Sequence, residues 1–202
     1  MPDDVLQLEV AFDYRCPFAR NAHELVLAGL TAGAGWDVRF TPFSLSQAKV
    51  EHGGVDVWDA PETDSGLLAL QVSIAIRDRQ PEHFLGAHAA LFRFRHDEGG
   101  DLRDEAALRA ALAPTGIDVD AAFDDVATGV PLKTVAAEHT RLVQEHEVWG
   151  VPAFIAGGEA AFVRLMERPS DPAEAVVAVE RIISMLTAWP ALNEFKHFTI
   201  SR

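Results

Sequence analysis

Residues 5–22 constrain the fold of this chain most, because a strand pattern is followed there directly by a helix pattern. Apolar and polar residues alternate from Leu6 to Phe12, which is the two-residue period of a half-buried strand. Pro17 suits the first turn of a helix, because its φ is already helical and that position needs no N–H donor. Apolar residues then recur at helical spacing at Phe18, Ala22, Leu25, Val26 and Gly29.

Cys16 is the only cysteine among the 202 residues, and it falls at or beside the N-cap of the predicted helix. Unpaired N–H groups and the positive end of the helix dipole favour a thiolate at this position. We therefore expect the pKa of Cys16 to lie below the value of about 8.5 for a free thiol. The alternative is an inert, buried cysteine that acts only as a small hydrophobe.

A second strand follows, because Trp36, Val38 and Phe40 alternate with polar residues. Together with the first strand and helix it predicts a βαβ unit with parallel strands. The long connection over residues 43–64 contains Trp58, which we consider as a cover for a functional site. The alternative is that Trp58 packs over the core.

Residues 65–147 have a helical pattern throughout, which suits a helical subdomain inserted into an α/β chain. The predicted helices start near Ser65 and Pro81, span Arg103–Ala113 and Val119–Thr128, and resume at Pro131. Two short strands then flank Gly157 and Gly158, which with Glu159 predict a tight antiparallel hairpin. Asp171 and Pro172 open a last helix, as N-cap and first helical residue.

Composition limits the partners. With 17 Lys and Arg against 31 Asp and Glu, the net charge of −14 argues against nucleic acid or an anionic membrane as partner. The lone cysteine excludes an internal disulfide, and residues 1–4 lack the basic region of a signal peptide, so we expect a cytoplasmic protein. The histidines have no metal-ligand spacing, and no metal site is expected.

The order βαβ, helical block, hairpin, helix resembles the DsbA-like branch of the thioredoxin superfamily. The resemblance rests on Phe12–Ala19, with the sequence FDYRCPFA, and on Val148–Phe154, with the sequence VWGVPAF. It implies an α/β, thioredoxin-like fold with an all-helical insertion subdomain. Residues 1–60 and 148–202 would then form the thioredoxin-like domain, and residues 61–147 the insertion.

Residue roles follow from the resemblance. Cys16 would be the nucleophile and Pro152 a cis-proline facing it, while the Val151 backbone would hydrogen-bond to a bound thiol compound or peptide. The other thiol-binding positions would be Pro17, Phe18, Ala19 and Trp149. Tyr14 and Arg15 flank the cysteine; Arg15 is considered either as a group that stabilises the thiolate or as a solvated turn residue. If the insertion covers Cys16, we expect an apolar pocket walled by Phe18, Trp58 and Trp149.

Ala19 stands where the family has its second, resolving cysteine. Dithiol exchange within this chain is therefore excluded, and an outside thiol must release any mixed disulfide. Kappa-class glutathione transferases and 2-hydroxychromene-2-carboxylate isomerases are similar relatives that lack the dithiol and bind a small thiol. The tail at residues 189–195 is similar to that of actinobacterial relatives that use mycothiol.

The resemblance implies a thiol–disulfide oxidoreductase or thiol-transfer enzyme that acts through Cys16. Its expected partner is a small-molecule thiol or disulfide, with glutathione or mycothiol as co-substrate and no tightly bound cofactor. One alternative is a transferase or isomerase in which a bound thiol does the chemistry. Another is a thioredoxin-fold binding protein without catalysis. A homodimer is left open.

Overall fold

The computed structural model describes residues 5–197, so the predicted domain bounds at residues 1 and 202 lie outside the described residues. Within this range the chain forms a mixed sheet and a set of α-helices. The elements are β1 (Leu6–Phe12), α1 (Pro17–Thr31), β2 (Trp36–Pro42), α2 (Leu67–Arg79), α3 (Pro81–His96), α4 (Glu105–Leu112), α5 (Val119–Ala127), α6 (Val130–His146), β3 (Ala153–Ala156), β4 (Glu159–Phe162) and α7 (Pro172–Ala188). The predicted order of elements is confirmed.

The four strands are arranged in the order β2-β1-β3-β4. β1 is parallel to β2, as predicted for the βαβ unit, and antiparallel to β3. β3 and β4 form the predicted antiparallel hairpin. Its turn is shorter than expected: Glu159 pairs with Ala156, so only Gly157 and Gly158 lie between the strands. Both have positive φ, at 60° and 84°, which glycine adopts without a steric penalty.

Helices cover both faces of the sheet. On one face, the Phe12 ring lies 5.3 Å from His23 of α1 and 4.6 Å from His88 of α3, measured between ring centroids. On the other face, Glu9 accepts hydrogen bonds from Thr41 of β2 and Arg141 of α6. Because side chains alternate along a strand, the C-terminal end of β1 is buried on both sides.

The helix starts follow from local capping. Asp171 accepts a hydrogen bond from the N–H of Ala173 and caps α7, as predicted. α4 begins two residues later than Arg103, at Glu105, because the Asp104 side chain accepts from the N–H of Ala107. These two caps fix where α4 and α7 begin.

Residues 61–147 consist of α2–α6, with short 3-10 turns at Pro61–Thr63 and Ala113–Thr115. α2 is the centre of this region, since its residues 69–76 are all buried and it packs against α3, α5 and α6. Among the described residues, no helix has both the length and the apolar character needed to cross a membrane.

Candidate active site

Cys16 lies in the turn that joins β1 to α1. Its φ of −88° and ψ of 114° are those of an N-cap, and its sulfur accepts a hydrogen bond from the N–H of Ala19 at 3.4 Å. Pro17 occupies the first helical position, as the sequence predicted. The cysteine residue is 8% exposed, so it lies just below the surface at the start of the helix.

The second sequence motif meets Cys16 in space. The Val151–Pro152 peptide bond is cis, as the resemblance implies. The Cys16 thiol donates a hydrogen bond to the Val151 carbonyl oxygen, with 3.3 Å between sulfur and oxygen. Residues 135 positions apart therefore share one site. The Val151 carbonyl, expected to be unpaired, is occupied by the protein's own thiol.

The pKa of Cys16 is raised, which contradicts the expected lowering. Burial is the largest cause, because it disfavours the charged thiolate. The N–H groups of Ala19 and Phe18 act in the opposite direction, and the Asp13 carboxylate adds to the increase. The bond to the Val151 oxygen also favours the thiol, since only the protonated sulfur can donate it.

Arg15 is paired with buried carboxylates. Its guanidinium lies 2.6 Å from an Asp13 carboxylate oxygen and 3.0 Å from one of Asp64, and both carboxylate side chains are fully buried. It also donates to the Ser46 hydroxyl at 2.6 Å. Two carboxylates therefore balance its charge. The interpretation of Arg15 as a solvated turn residue is wrong, because its side chain is only 17% exposed and joins the turn to the connection after β2.

Tyr14 is completely buried and points into the core, not towards a ligand site. Its hydroxyl donates to Nδ1 of His88 at 2.7 Å, and His88 Nε2–H donates to Nδ1 of His23 at 2.8 Å. His23 Nε2–H completes the chain by donating to the Ala11 carbonyl at 3.3 Å. We name these side chains the Tyr14–His88–His23 chain.

All members of the Tyr14–His88–His23 chain are neutral. Burial raises the pKa of Tyr14 and lowers the pKa of His23 to about 3. The pKa of His88 is also lowered, first by burial and then by repulsion from His23. His96 of α3 adds a bond from its ring to the Tyr14 carbonyl at 2.8 Å. The helical region therefore holds the residue two positions before the cysteine.

The three aromatic side chains expected to share a pocket pack on three different partners. Trp58 stands edge-on to His139, with 5.6 Å between ring centroids, in agreement with packing over the core. Trp149 is 71% exposed and lies 4.9 Å from Phe162. The guanidinium of Arg164 lies over the Phe18 ring, with 5.1 Å between its central carbon and the ring centroid.

Two cavities in the described part of the chain have other walls. The larger, about 440 Å³, lies beside Trp36 and Phe84, towards the N-terminal end of β2 and away from Cys16. The smaller, about 60 Å³, lies between Trp149 and Phe162. Neither has Cys16, Phe18 or Trp58 in its wall, so neither of these two cavities is the pocket predicted from the sequence.

Sequence reasoning missed the residues that support the site. Asp13 and Asp64 hold Arg15, while His96 and Arg164 approach from α3 and from the segment after β4. An acidic residue two positions before Arg15 was a local signal, but the other three lie far away in sequence. Across residues 5–197, no three His, Cys, Asp or Glu side chains are grouped so that they could hold a metal.

A helix-start cysteine facing a cis-proline beside a mixed four-stranded sheet defines a thioredoxin-fold protein. The sequence model of the DSBA-like thioredoxin domain matches residues 7–171, and the chain belongs to that family. The predicted thioredoxin-like fold with helices between its two sheet-forming parts is thereby confirmed. A comparison with curated proteins found no significant match.

Solved structures with the same fold include the cytosolic disulfide reductase DsbM of Pseudomonas aeruginosa, determined with GSH. It is 19% identical, with a TM-score of 0.64, over 88% of this chain and 98% of that one. Reduced DsbA1 of Neisseria meningitidis is 12% identical, with a TM-score of 0.60, over 93% and 89% of the two chains. DsbA of Pseudomonas aeruginosa is 18% identical, with a TM-score of 0.56, over 90% and 84%. At these identities the likeness is one of fold.

Proposed function

We propose that the chain is a DsbA-like thiol–disulfide oxidoreductase that works through Cys16 alone. The observation that carries the proposal is the meeting of Cys16, at the N-cap of α1, with the cis Val151–Pro152 bond. A helix N-terminus supplies N–H donors to a sulfur anion. Once Cys16 has lost its proton it no longer donates to the Val151 carbonyl, and this backbone group beside the cis-proline becomes free for an incoming sulfur compound. Family membership supports the same class of reaction.

The reaction is a pair of disulfide exchanges. Cys16 loses its proton to solvent, and its thiolate attacks one sulfur of a disulfide; a new bond to Cys16 forms as the old disulfide bond breaks, and the other half leaves as a thiolate that takes up a proton. An external thiolate then attacks the substrate-derived sulfur, forms a new disulfide with it and releases Cys16. After both exchanges Cys16 is again a free thiol, so the protein itself is neither oxidised nor reduced overall.

Ala19 makes the external thiol necessary, because the chain has no second cysteine. We propose glutathione or mycothiol as this co-substrate and the cytoplasm as the compartment, where such thiols are kept reduced. The structure of DsbM, a cytosolic disulfide reductase determined with GSH, supports this choice by analogy of fold.

The raised pKa of Cys16 favours one second candidate. A thiol that stays protonated near neutral pH is a slow nucleophile but a serviceable hydrogen-bond donor. In that case a bound external thiol would itself attack the substrate, as in the kappa-class transferases and the isomerases that this chain resembles. Cys16 would then orient the bound thiol and not react.

The intact mass after treatment with oxidised glutathione separates the candidates. We expect one glutathione to add to the wild-type chain, to remain after the disulfide is removed, and to leave only when a reduced thiol is supplied. Cys16→Ser should show no addition and should lose disulfide turnover completely.

If Cys16→Ser keeps conjugation of glutathione to chlorodinitrobenzene, the second candidate is favoured. If the wild-type chain neither forms the adduct nor shows either activity, both enzymatic proposals are wrong and a binding protein remains.

A further inference from the structure

The segment after β4, residues 163–168, is hydrogen-bonded to the cis-proline and to side chains of α1. The N–H of Val163 donates to the carbonyl oxygen of Pro152 at 3.1 Å, which ties the segment to the cis-proline. The Asn21 side chain donates to the Leu165 carbonyl at 2.9 Å. Arg168 pairs with Glu24. The backbone of Arg164 therefore lies between a residue bonded to the cis-proline and a residue bonded to α1.

Arg164 differs from nearly all other arginines in residues 5–197. Ten of these thirteen arginines form ion pairs with carboxylates, and Arg95 donates to the Gly100 carbonyl. Within the described residues only Arg164 and Arg181 have neither kind of partner. In a chain with a net charge of −14, an exposed guanidinium without a carboxylate partner is unusual.

The guanidinium of Arg164 lies over the ring of Phe18, 5.1 Å from its centroid. Phe18 is also the residue whose backbone N–H approaches the Cys16 sulfur. Stacking on an aromatic face engages the plane of a guanidinium and leaves its N–H edge free to bind an anion. The cation is therefore held on the side chain of Phe18, two positions after Cys16.

We propose that Arg164 recognises the carboxylate of a small thiol or disulfide whose sulfur meets Cys16. This inference rests on the proposed function. An arginine fork binds a carboxylate through two parallel hydrogen bonds, which orients the ligand as well as attracting it. A carboxylate-bearing thiol such as glutathione is therefore preferred to an uncharged one at this site.

The test compares two aromatic disulfides that react with Cys16 by thiol–disulfide exchange. The bond to Cys16 forms as the reagent's disulfide bond breaks, and the other half leaves as a light-absorbing product, a thiolate from the first reagent and a thiopyridone from the second. Dithiobis-nitrobenzoate carries two carboxylates, and dithiodipyridine carries none. We expect Arg164→Gln to lower the second-order rate constant for the anionic reagent by about two- to fivefold, the range for one exposed ion pair, and to leave the rate with the neutral reagent unchanged. Arg164→Lys, which keeps the charge, should retain much of the anionic rate.

Arg181→Gln is the matched control, because it removes an equally unpaired arginine nine residues into α7. It should change neither rate. An equal rate loss with both reagents in Arg164→Gln, or no loss with either, would overturn the inference and leave the proposed function standing. If neither reagent reacts with Cys16 in the wild-type chain, the proposed function itself fails.

Discussion

At Cys16 two effects on the thiol oppose each other. Placement of an anion at a helix N-terminus contributes roughly 0.3–1 kcal/mol. One pKa unit corresponds to about 1.4 kcal/mol, so this contribution alone moves the pKa by less than a unit. Desolvation of a fully buried group reaches about 3–5 units. Because Cys16 is 8% exposed and already bonded as a thiol, burial determines the direction of the shift.

The raised pKa gives a pH dependence that can be measured by alkylation of Cys16. Less thiolate is present near neutral pH than for a free thiol, so the rate should keep rising beyond the ordinary midpoint. The folded chain also holds this proton more tightly than the unfolded chain does. The contribution of this proton to the free energy of unfolding is therefore complete below the pKa of Cys16 in the unfolded chain. It is lost as pH rises through the higher pKa of Cys16 in the folded chain.

The control is the same cysteine in the urea-unfolded chain, which removes differences between reagents and neighbouring sequence. A folded midpoint at or below the unfolded midpoint would contradict the structure. It would instead agree with the sequence-based expectation that the helix start dominates.

The sequence was sufficient to locate Cys16 and Pro17 at a helix start, because capping depends on neighbouring residues. It was not sufficient to predict the state of the thiol or of Arg15. The pKa of Cys16 depends on burial under parts of the chain that are far away in sequence, and Arg15 pairs with Asp64 across the whole β2 region. Such contacts have no local pattern.

At the scale of one element, the first turn of α1 contains both the cysteine and the position of the missing partner. The Ala19 N–H lies 3.4 Å from the Cys16 sulfur, and residues three apart in a helix face one another. Ala19→Cys should therefore form an internal disulfide under mild oxidation, seen as a loss of two hydrogens in the intact mass. The same variant should release a glutathione adduct without an outside thiol.

Ala22→Cys is the matched control, because Ala22 is also a fully buried alanine of α1. It lies six residues from Cys16, and at a rise of about 1.5 Å per residue the α-carbons are about 9 Å apart. Disulfides need α-carbons within about 7 Å, so this variant should not close a bond. Failure of Ala19→Cys to close, or closure of Ala22→Cys, would show that the turn is not arranged as described.

Elements whose ends are set by turn or capping residues within the element were the easiest to predict. Gly157 and Gly158 set the hairpin, and Asp171 with Pro172 set the start of α7. The joint pocket stays a prediction, and the ring partners of Phe18, Trp58 and Trp149, which come from three other parts of the chain, could not be predicted. Periodicity tells which face of an element is apolar, but not what that face meets.

At the scale of the whole molecule, the helical region contacts the turn that contains Cys16. The contacts come from side chains of α3 and of the segment just before α2. His88 and His96 of α3 bind the Tyr14 hydroxyl and carbonyl. Asp64, just before α2, binds Arg15. The turn that carries Cys16 is therefore positioned by residues of the helical region as well as by the sheet.

Tyr14→Phe tests this attachment. The change removes one hydroxyl and leaves His88 Nδ1 without its donor, and a buried unpaired acceptor costs about 1–3 kcal/mol. We expect the free energy of unfolding in urea to fall by about 1–2 kcal/mol. The double variant Tyr14→Phe with His88→Leu should lose less than the sum of the single changes, because each partner is then relieved of an unmet bond. Strict additivity would mean that the two side chains are not coupled.

The Tyr14–His88–His23 chain also affects how any titration of this protein is understood. The pKa of His23 is about 3, that of His88 is lowered, and that of Tyr14 is raised, so none of the three changes its proton count near neutrality. These three groups keep their protonation states near neutral pH. The hydrogen bonds that they form beneath the turn are therefore the same in mildly acidic and mildly alkaline solution. A pH-dependent change measured near neutrality should therefore not be assigned to His23 or His88, although histidine is the side chain that usually titrates there.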